Sequence, residues 1–265
     1  MLESDGRVSV PGRVWPSERD VADEVPIDVD ALVARRVLGE VPLWFHTFAL
    51  DGLYTPGKAR DHGYRLASIP DSFEGMSVLD IGAFDGFYAF MAEARGAARV
   101  LAVDNEQYVE WVRDRWGVEL EGAEGFRAIH ELLGSEVEYR RMDAFDAATL
   151  GEKFDFVFCF GILHRVEDPI GLLRVLRECL TENGVILLET YGIREDEGAD
   201  RGAVLVPEPT EIYPRDGHVY WQFSSGALDR LAALAGLSRF VLHDAPIVDE
   251  HPRIIGQIER SPTTT

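Results

Sequence analysis

Short apolar segments alternate with amphipathic segments along most of the chain after Met76, and this alternation limits the possible folds more than any other feature. The apolar segments have the length and composition of strands buried on both faces, whereas the segments between them show the spacing of amphipathic helices. This pattern predicts an α/β fold in which helices cover both faces of a mainly parallel sheet. The predicted strands are 77–81, 99–104, 136–142, 154–160 and 184–189, and the predicted helices are 87–94, 106–116 and 169–180.

The C-terminal end of the chain departs from this pattern. A helix is predicted at 226–235, and two strand-like segments follow at 238–243 and 253–258. The loop between these two segments is too short for a crossover, so the strands must pair antiparallel. We therefore expect a sheet of seven strands that ends in an antiparallel hairpin.

The chain is expected to divide near residue 70. Residues 1–70 predict an N-terminal arm and a helical lid, and residues 71–265 predict the sheet domain with an insertion at about 191–224. The first 26 residues are polar and rich in Gly, Pro and Asp, which predicts an arm with little core of its own. Short helices are predicted at 30–38 and 63–69.

A glycine-containing turn joins the first predicted strand to the first predicted helix. Open α/β sheets bind ligands at the C-terminal ends of their strands, and glycine lets a ligand approach the backbone closely. The dinucleotide pattern G-x-G-x-x-G fails, because Gly82 is followed by Phe84 and Phe87 at the next two glycine positions. An acidic turn suits S-adenosylmethionine, which carries a sulfonium and an amino group, better than a pyrophosphate; an ordinary tight turn is the alternative. The candidate cofactor-binding residues are Asp80, Gly82, Ala83, Phe84, Asp85 and Gly86.

Further cofactor contacts are expected where the next strands end. Asp104 ends the second strand, beside Asn105, and its carboxylate can accept hydrogen bonds from both ribose hydroxyls. Enzymes that bind NAD use the same device, and a solvated Asp at a strand end is the alternative. After the third strand, Asp143 can accept from the adenine amino group while Met142 packs on the ring. Ala144, Phe160 and Gly161 complete the predicted cofactor site.

These residues resemble the class I S-adenosylmethionine-dependent methyltransferases over about residues 70–190. A narrower resemblance, over about residues 40–245, is to the tRNA uridine-5-oxyacetate (carboxymethyl) methyltransferases. It implies a Rossmann-like fold and S-adenosylmethionine as the cofactor. The motifs that carry it are Trp44-Phe-His, Asp51-Gly with Thr55-Pro-Gly, Gly161-Ile-Leu-His-Arg with Asp168-Pro, and Leu188-Glu-Thr with Val204-Leu-Val-Pro.

The resembling tRNA enzymes use a carboxylated cofactor and hold the extra carboxylate with basic residues. In this chain the corresponding segments 43–48 and 216–221 contain no Lys or Arg, and only Arg215 lies at their edge. A buried carboxylate without a cation is costly. The sequence therefore favours the unmodified cofactor.

A hydroxyl acceptor of a methyl group benefits from a general base. His164, just beyond the fourth strand, is the first candidate, and in the resembling fold its loop borders the methyl group. A histidine that packs on the cofactor or caps the next helix is the alternative. Glu167 on the same loop is the second candidate, against a solvated loop carboxylate, and Glu189 is a weaker third.

Aromatic residues from the lid and the insertion predict a pocket for a flat or apolar small molecule, although such clusters are more often core. No metal spacing accompanies His46 or His218, so no metal is predicted. The predicted acceptor-binding residues are Trp44, His46, Tyr54, Tyr191, Tyr220 and Trp221, with Phe48 and Phe223 beside them.

The net charge of −21, from 47 acids against 26 bases, makes nucleic acid an unfavourable partner. No signal peptide or membrane-spanning segment is evident, so a cytoplasmic protein is expected, with its oligomeric state open. The overall prediction is methylation of a small molecule, with an ether formed at a hydroxyl and a role in specialised metabolism. The alternatives are a tRNA-modifying transferase, a nicotinamide oxidoreductase and a non-catalytic cofactor-binding partner protein. The tRNA alternative predicts a basic surface near Arg60, Arg65, Arg194 and Arg201.

Overall fold

The computed structural model describes residues 15–59, 62–193 and 202–260. The strands, in chain order, are β1 (Ala49–Leu50), β2 (Leu53–Tyr54), β3 (Ser77–Ile81), β4 (Arg99–Asp104), β5 (Glu138–Arg141), β6 (Phe154–Phe160), β7 (Leu180–Tyr191), β8 (Ala203–Leu205), β9 (Trp221–Phe223), β10 (Leu237–Asp244), β11 (Ile247–Val248) and β12 (His251–Arg260). The helices are α1 (Glu18–Ala22), α2 (Ala31–Glu40), α3 (His62–Leu66), α4 (Phe87–Ala94), α5 (Gln107–Trp116), α6 (Glu124–Leu133), α7 (Pro169–Cys179), α8 (Pro209–Ile212) and α9 (Ser225–Ala235). Two 3₁₀ turns occupy Ala144–Leu150 and Leu163–Arg165.

The central sheet has the strand order β10-β12-β7-β6-β3-β4-β5, with β11 paired to β12. Strands β3 to β7 run parallel, whereas β12 is antiparallel to both β7 and β10. The predicted seven-stranded sheet with an antiparallel C-terminal hairpin is confirmed. The chain leaves β3 toward β4 on one side and later returns as β6 on the other, and such a switch point opens a crevice at the C-terminal strand ends.

Each face of the sheet packs against its own apolar cluster, because side chains alternate along every strand. In β3, Val78 packs with α4 and the N-terminal segment, and Leu79 packs with α7 and α9 on the other face. Helix α4 buries Phe87 to Ala92 without a break, so all of it except its last two residues lies in the core. The predicted strand β3 and helix α4 agree with the structure at both ends.

The N-terminal segment differs from the predicted arm. Helix α1 begins with a capping box between Ser17 and Asp20, and Val21 and Val25 are buried in the main apolar cluster. Residues 15–26 therefore contribute to the core, because apolar residues lie on one face of α1 between the polar ones. Residues 1–14 of the predicted arm lie outside the described part of the chain.

Several elements of the described ranges had no counterpart in the sequence prediction. They are the short helices α1 and α8, helix α6, the β1–β2 pair, the β8–β9 pair inside the predicted insertion, and the short β11 in the final hairpin. Strand β7 also begins at Leu180, four residues before the predicted start. Within the described ranges, no helix is both long and apolar enough to cross a membrane.

Candidate active site

A cavity of about 680 Å³ opens at the C-terminal ends of the parallel strands, beside the switch point between β3 and β6. Its size falls in the range of small-molecule sites. Most of the residues predicted from the strand ends meet there. The predicted residues on its wall are Gly82, Phe84, Asp104, Asn105, Met142, Asp143, Ala144, Phe160, Gly161, His164, Glu167, Tyr191 and Tyr220.

The turn after β3 approaches the cavity with its backbone. Gly82 has φ of +77°, and a Cβ atom there would collide with the side chain of Ile162. Phe84 also has a positive φ, of +54°, which is unusual for an aromatic residue. Its N–H donates to Asp104 Oδ2 (2.8 Å) and its ring stacks on Phe45 at 4.7 Å. These two contacts hold the strained residue against the cavity.

The two predicted nucleoside-binding carboxylates form one hydrogen-bonded network. Asp104 accepts from the backbone N–H groups of Phe84 and Asn105. The Asn105 side-chain amide donates to Asp143 Oδ2 (3.0 Å), and Asp143 Oδ1 accepts from the Phe145 N–H (2.9 Å). Each carboxylate keeps lone pairs for a ligand, because two oxygens offer about four acceptor positions.

Two carboxylates in this region, Asp80 and Asp104, have pKa values well above the ordinary value of an aspartate. Burial, and next to it the charge of Asp104, raises the pKa of Asp80 to about 8. Burial likewise raises the pKa of Asp104 to about 7. Asp80 Oδ2 has no hydrogen-bond partner among the described residues. A cationic ligand in the cavity would favour the ionised form of both carboxylates.

Four of the predicted turn residues are not on the cavity wall: Asp80, Ala83, Asp85 and Gly86. Asp85 points away from the cavity toward the lid, where its Oδ2 accepts from the N–H groups of Phe45 (2.8 Å) and His46 (2.9 Å). Its Oδ1 contacts His46 Nδ1. The carboxylate that was predicted to attract the cofactor therefore anchors the lid to the cofactor turn, because backbone donors satisfy it there.

The lid contributes different residues from those predicted. Trp44, His46 and Phe48 are buried, and Tyr54 lies under the guanidinium of Arg19. The cavity is lined instead by Phe45, Lys58 and Ala59. Apolar Trp44 and Phe48 pack into the core, and of residues 44–48 only Phe45 lines the cavity.

Only some of the predicted acceptor residues from the insertion line the cavity. Tyr191 and Tyr220 line the cavity, whereas Phe223 is fully buried in the core. The Trp221 indole donates to the carbonyl of Val166 (3.0 Å) and holds the loop after β6. Residues 194–201 of the insertion, including Arg194 and Arg201, lie outside the described residues, as does Arg60.

His164 is fully buried at the cavity wall. Its Nδ1 lies 3.1 Å from Thr190 Oγ1, and its ring packs edge-on against Tyr191. Its Nε2 has no hydrogen-bond partner in the described part of the chain. Burial, together with Arg165, Arg253 and Arg65, holds the pKa of His164 well below its ordinary value. The imidazole is therefore neutral with a low proton affinity, which makes it a weak general base.

Glu189 forms ion pairs with two arginines. Arg65 Nη2 lies 2.6 Å from its Oε2, and Arg253 Nε lies 2.5 Å from its Oε1. The carboxylate is fully buried. Two guanidiniums hold it, so Glu189 does not serve as the weaker base candidate of the sequence prediction. Glu167 stays a prediction, since it lies exposed at the cavity rim.

Five cationic side chains line the cavity, although the two segments inspected in the sequence contain none. They come from elements that are distant in sequence, so no local pattern could reveal them. They are Lys58, Arg65, Arg115, Arg165 and Arg253. The absence of Lys and Arg from those two segments therefore does not mean that the cavity lacks cations.

Metal and thiol chemistry find no support in the described ranges. No three His, Cys, Asp or Glu side chains are grouped there as metal ligands would be. Both cysteines are buried, and burial raises the pKa of Cys159 to about 12 and that of Cys179 to about 11. Such thiols are unreactive near neutral pH.

Comparison with known proteins agrees with this fold. Residues 54–239 match a family model described as a methyltransferase domain. A tRNA U34 carboxymethyltransferase of Campylobacter jejuni subsp. jejuni serotype O:6 is 31% identical over 174 residues, covering 66% of this chain and 53% of that relative. A protein of the same name from Pseudomonas putida (strain W619) is 28% identical over 231 residues, covering 84% and 67%.

Among solved structures, the N-terminal domain of EvdMO1 with SAH bound has a TM-score of 0.60 at 21% identity, covering 88% of this chain and 98% of that one. This similarity supports the Rossmann-like fold. The chain spans about half the length of the first curated relatives it matches. The resemblance predicted from the motifs is confirmed, and the chain belongs to the methyltransferase-domain family.

Proposed function

We propose that this chain transfers a methyl group from S-adenosylmethionine to a small-molecule acceptor, with a hydroxyl oxygen as the favoured target. The observation that carries the proposal is the carboxylate of Asp104 on the cavity wall. Two backbone N–H groups fix it at the end of β4. Its remaining lone pairs suit the two hydroxyls of a ribose.

The surrounding residues fit the rest of this cofactor. Asp143 would accept from the adenine amino group, and Met142 and Ala144 would flank the ring. Gly82 would let the amino-acid part approach the backbone, since a side chain there has no space. The raised pKa values of Asp80 and Asp104 fall when a positive charge enters, so these carboxylates favour a cationic ligand over a pyrophosphate.

When bound, the cofactor would supply an electrophilic methyl group on its sulfonium, and the acceptor oxygen would receive it. The cavity wall must align the two reacting atoms and exclude water. We expect Tyr191 and His164 to contribute to this, since both are buried and both face the cavity.

Two observations favour a small acceptor over tRNA. The net charge of −21 repels a phosphate backbone. Arg65, the one described member of the arginines considered for tRNA, is buried and ion-paired with Glu189, so it does not face a surface ligand. Cytoplasmic location and a role in specialised metabolism remain part of the proposal.

A second candidate function uses a carboxylated cofactor, as the names of the curated relatives suggest for those proteins. The observation that favours it is the set of cations on the cavity wall. Lys58 is among them, and it forms no ion pair with a described carboxylate. Incubation of the protein with each cofactor and its acceptor would separate the two, because the product gains either a methyl or a carboxymethyl group.

The direct test is calorimetric titration with S-adenosylmethionine, adenosylhomocysteine and NADH. We expect heat from the first two and none from NADH. Asp104→Ala should weaken adenosylhomocysteine binding by at least about tenfold, as the loss of buried hydrogen bonds implies. Asp114→Ala, on the exposed face of α5, is the control and should bind normally. Binding without turnover of any acceptor would instead support the non-catalytic alternative.

A further inference from the structure

A charged cluster joins three separate elements at the cavity wall. Asp216, from the insertion, is buried between Arg165 of the 3₁₀ turn after β6 and Arg115 of α5. Arg165 binds both carboxylate oxygens, at 2.9 and 3.0 Å, and Arg115 Nη1 lies 3.1 Å from Oδ2. All three residues line the cavity. None of them has a part in the cofactor site described above.

The three side chains together have a net charge of +1, because two guanidiniums share one carboxylate. Although burial alone would raise the pKa of Asp216, Arg165 and Arg115 hold it below its ordinary value, so the carboxylate is ionised. Arg165 has few N–H donors left for a ligand, because both of its terminal nitrogens donate to Asp216 and its Nε donates to the carbonyl of Gly161 (3.1 Å). Arg115 donates to Asp216 from Nη1 and makes no other hydrogen bond to a described residue. Arg115 is therefore the member of the cluster that can bind an anion in the cavity.

Aromatic rings surround this charge. The Arg165 guanidinium lies 4.8 Å from the ring centroid of Trp111, and the Arg115 guanidinium lies 5.7 Å from Trp111 and 5.4 Å from Trp116. Phe45 packs on Trp111 and stacks on Phe84 of the cofactor turn. A continuous aromatic wall thus runs from the cofactor turn to the cation.

The cluster is also close to where a methyl group would be delivered. Arg165 is tied to Gly161, at the end of β6, and β6 is the neighbour of β3 at the switch point. The cofactor turn begins at the end of β3. A ligand that contacts Arg115 and lies along Trp111 would therefore reach toward the cofactor turn.

We propose that Arg115, supported by the Asp216–Arg165 pair, binds the carboxylate of an aromatic acceptor whose ring packs against Trp111. This inference rests on the proposed function and names its substrate class: planar hydroxylated aromatic carboxylates. A guanidinium suits this ligand because its planar fork matches a carboxylate and its face tolerates an aromatic neighbour. The net charge of −21 disfavours a bound polyanion, whereas Arg115 on the cavity wall can bind a small carboxylate.

The test is binding of a panel of probes to protein saturated with adenosylhomocysteine. The probes are para-hydroxybenzoate, protocatechuate and caffeate, each with its neutral carboxamide. We expect at least one carboxylate to bind about tenfold tighter than its amide, because a hydrogen bond to a charged group is typically stronger than a neutral one by about 1.4 kcal/mol, which corresponds to this factor. Arg115→Gln should remove this preference and leave adenosylhomocysteine affinity unchanged.

Arg113→Gln is the matched control, since Arg113 lies on the same helix, is exposed and pairs with Asp114 outside the cavity. It should keep the preference for carboxylates. Arg115→Gln is chosen over a change at Arg165 because Asp216 then keeps its bidentate partner, and equal unfolding temperatures would verify the fold. Equal affinity for every carboxylate and its amide, or equal loss in both variants, overturns the inference. Failure to bind adenosylhomocysteine would instead overturn the proposed function.

Discussion

The buried carboxylate of Asp80 should make the protein without its cofactor less stable as the pH rises. Burial raises the pKa of Asp80 from 3.8 to about 8, so between these values the folded protein holds a proton that the unfolded chain has lost. The free energy of unfolding therefore falls as the pH increases through this range and levels off above it. At about 1.4 kcal/mol per pH unit, the contribution of this one group falls by about 4 kcal/mol between pH 5 and pH 8.

Asp80→Asn isolates this contribution, because the amide resembles the protonated acid in shape and charge. At pH 5, about one pH unit above the ordinary pKa of Asp, the variant should already be more stable than the wild type by about 1.5 kcal/mol, and this difference should grow by about 4 kcal/mol between pH 5 and pH 8. Urea denaturation at both pH values, followed by circular dichroism, measures the difference. Asp114→Asn on the exposed face of α5 is the control and should match the wild type at both. A constant difference between Asp80→Asn and wild type across this range would refute the reasoning.

Three further predictions test the lid, the turn and the buried ion pairs. Asp85→Ala should speed hydrogen exchange at the amides of residues 45 and 46 by at least about tenfold, because both N–H groups lose a charged acceptor. Exchange at the wild-type rate would show that other contacts hold the lid. Gly82→Ala should weaken adenosylhomocysteine binding by at least about tenfold, as the added methyl group displaces Ile162; unchanged affinity would remove this turn from the cofactor site. Glu189→Gln should cost about 3–5 kcal/mol in urea denaturation, since two buried guanidiniums lose their counter-charge, and a loss below about 1 kcal/mol would contradict this.

The sheet could be predicted because buried parallel strands must be apolar almost throughout. Strand β6, with its run from Phe154 to Phe160, agrees with its prediction at both ends, and so does β4. Strand β5 is polar and only partly buried, and it was predicted three residues too long in total. Helix α6 was missed although its apolar residues share one face, because its N-cap residue Ala123 has a positive φ and offers no capping side chain.

The residues of the cavity wall could be predicted where strand ends alone position them, as with Asp104 and Asp143. Asp85 shows the limit of this reasoning, since its position in the turn does not reveal which of two surfaces its carboxylate faces. The cations were missed for a different reason. Arg65 and Arg253 are 188 residues apart in sequence, and only the fold brings them to one carboxylate.

The cations around His164 suggest how an acceptor hydroxyl would lose its proton. Arg165, Arg253 and Arg65 disfavour a positive charge on this buried imidazole, and the same field favours a negative charge on a neighbouring hydroxyl. We therefore expect the acceptor to ionise in the cationic field, with His164 orienting it as a neutral group. His164→Gln, which keeps a polar group at this position, should then reduce turnover while the acid limb of the pH profile of kcat remains.

A general base would give the opposite result, because removing the titrating group removes the limb that it causes. A series of acceptors whose hydroxyl groups differ in pKa makes this comparison more decisive. If the field ionises the acceptor, the midpoint of the acid limb follows the acceptor pKa in both the wild type and His164→Gln. A midpoint that is independent of the acceptor in the wild type, and a flat profile in the variant, would return His164 to the role of general base.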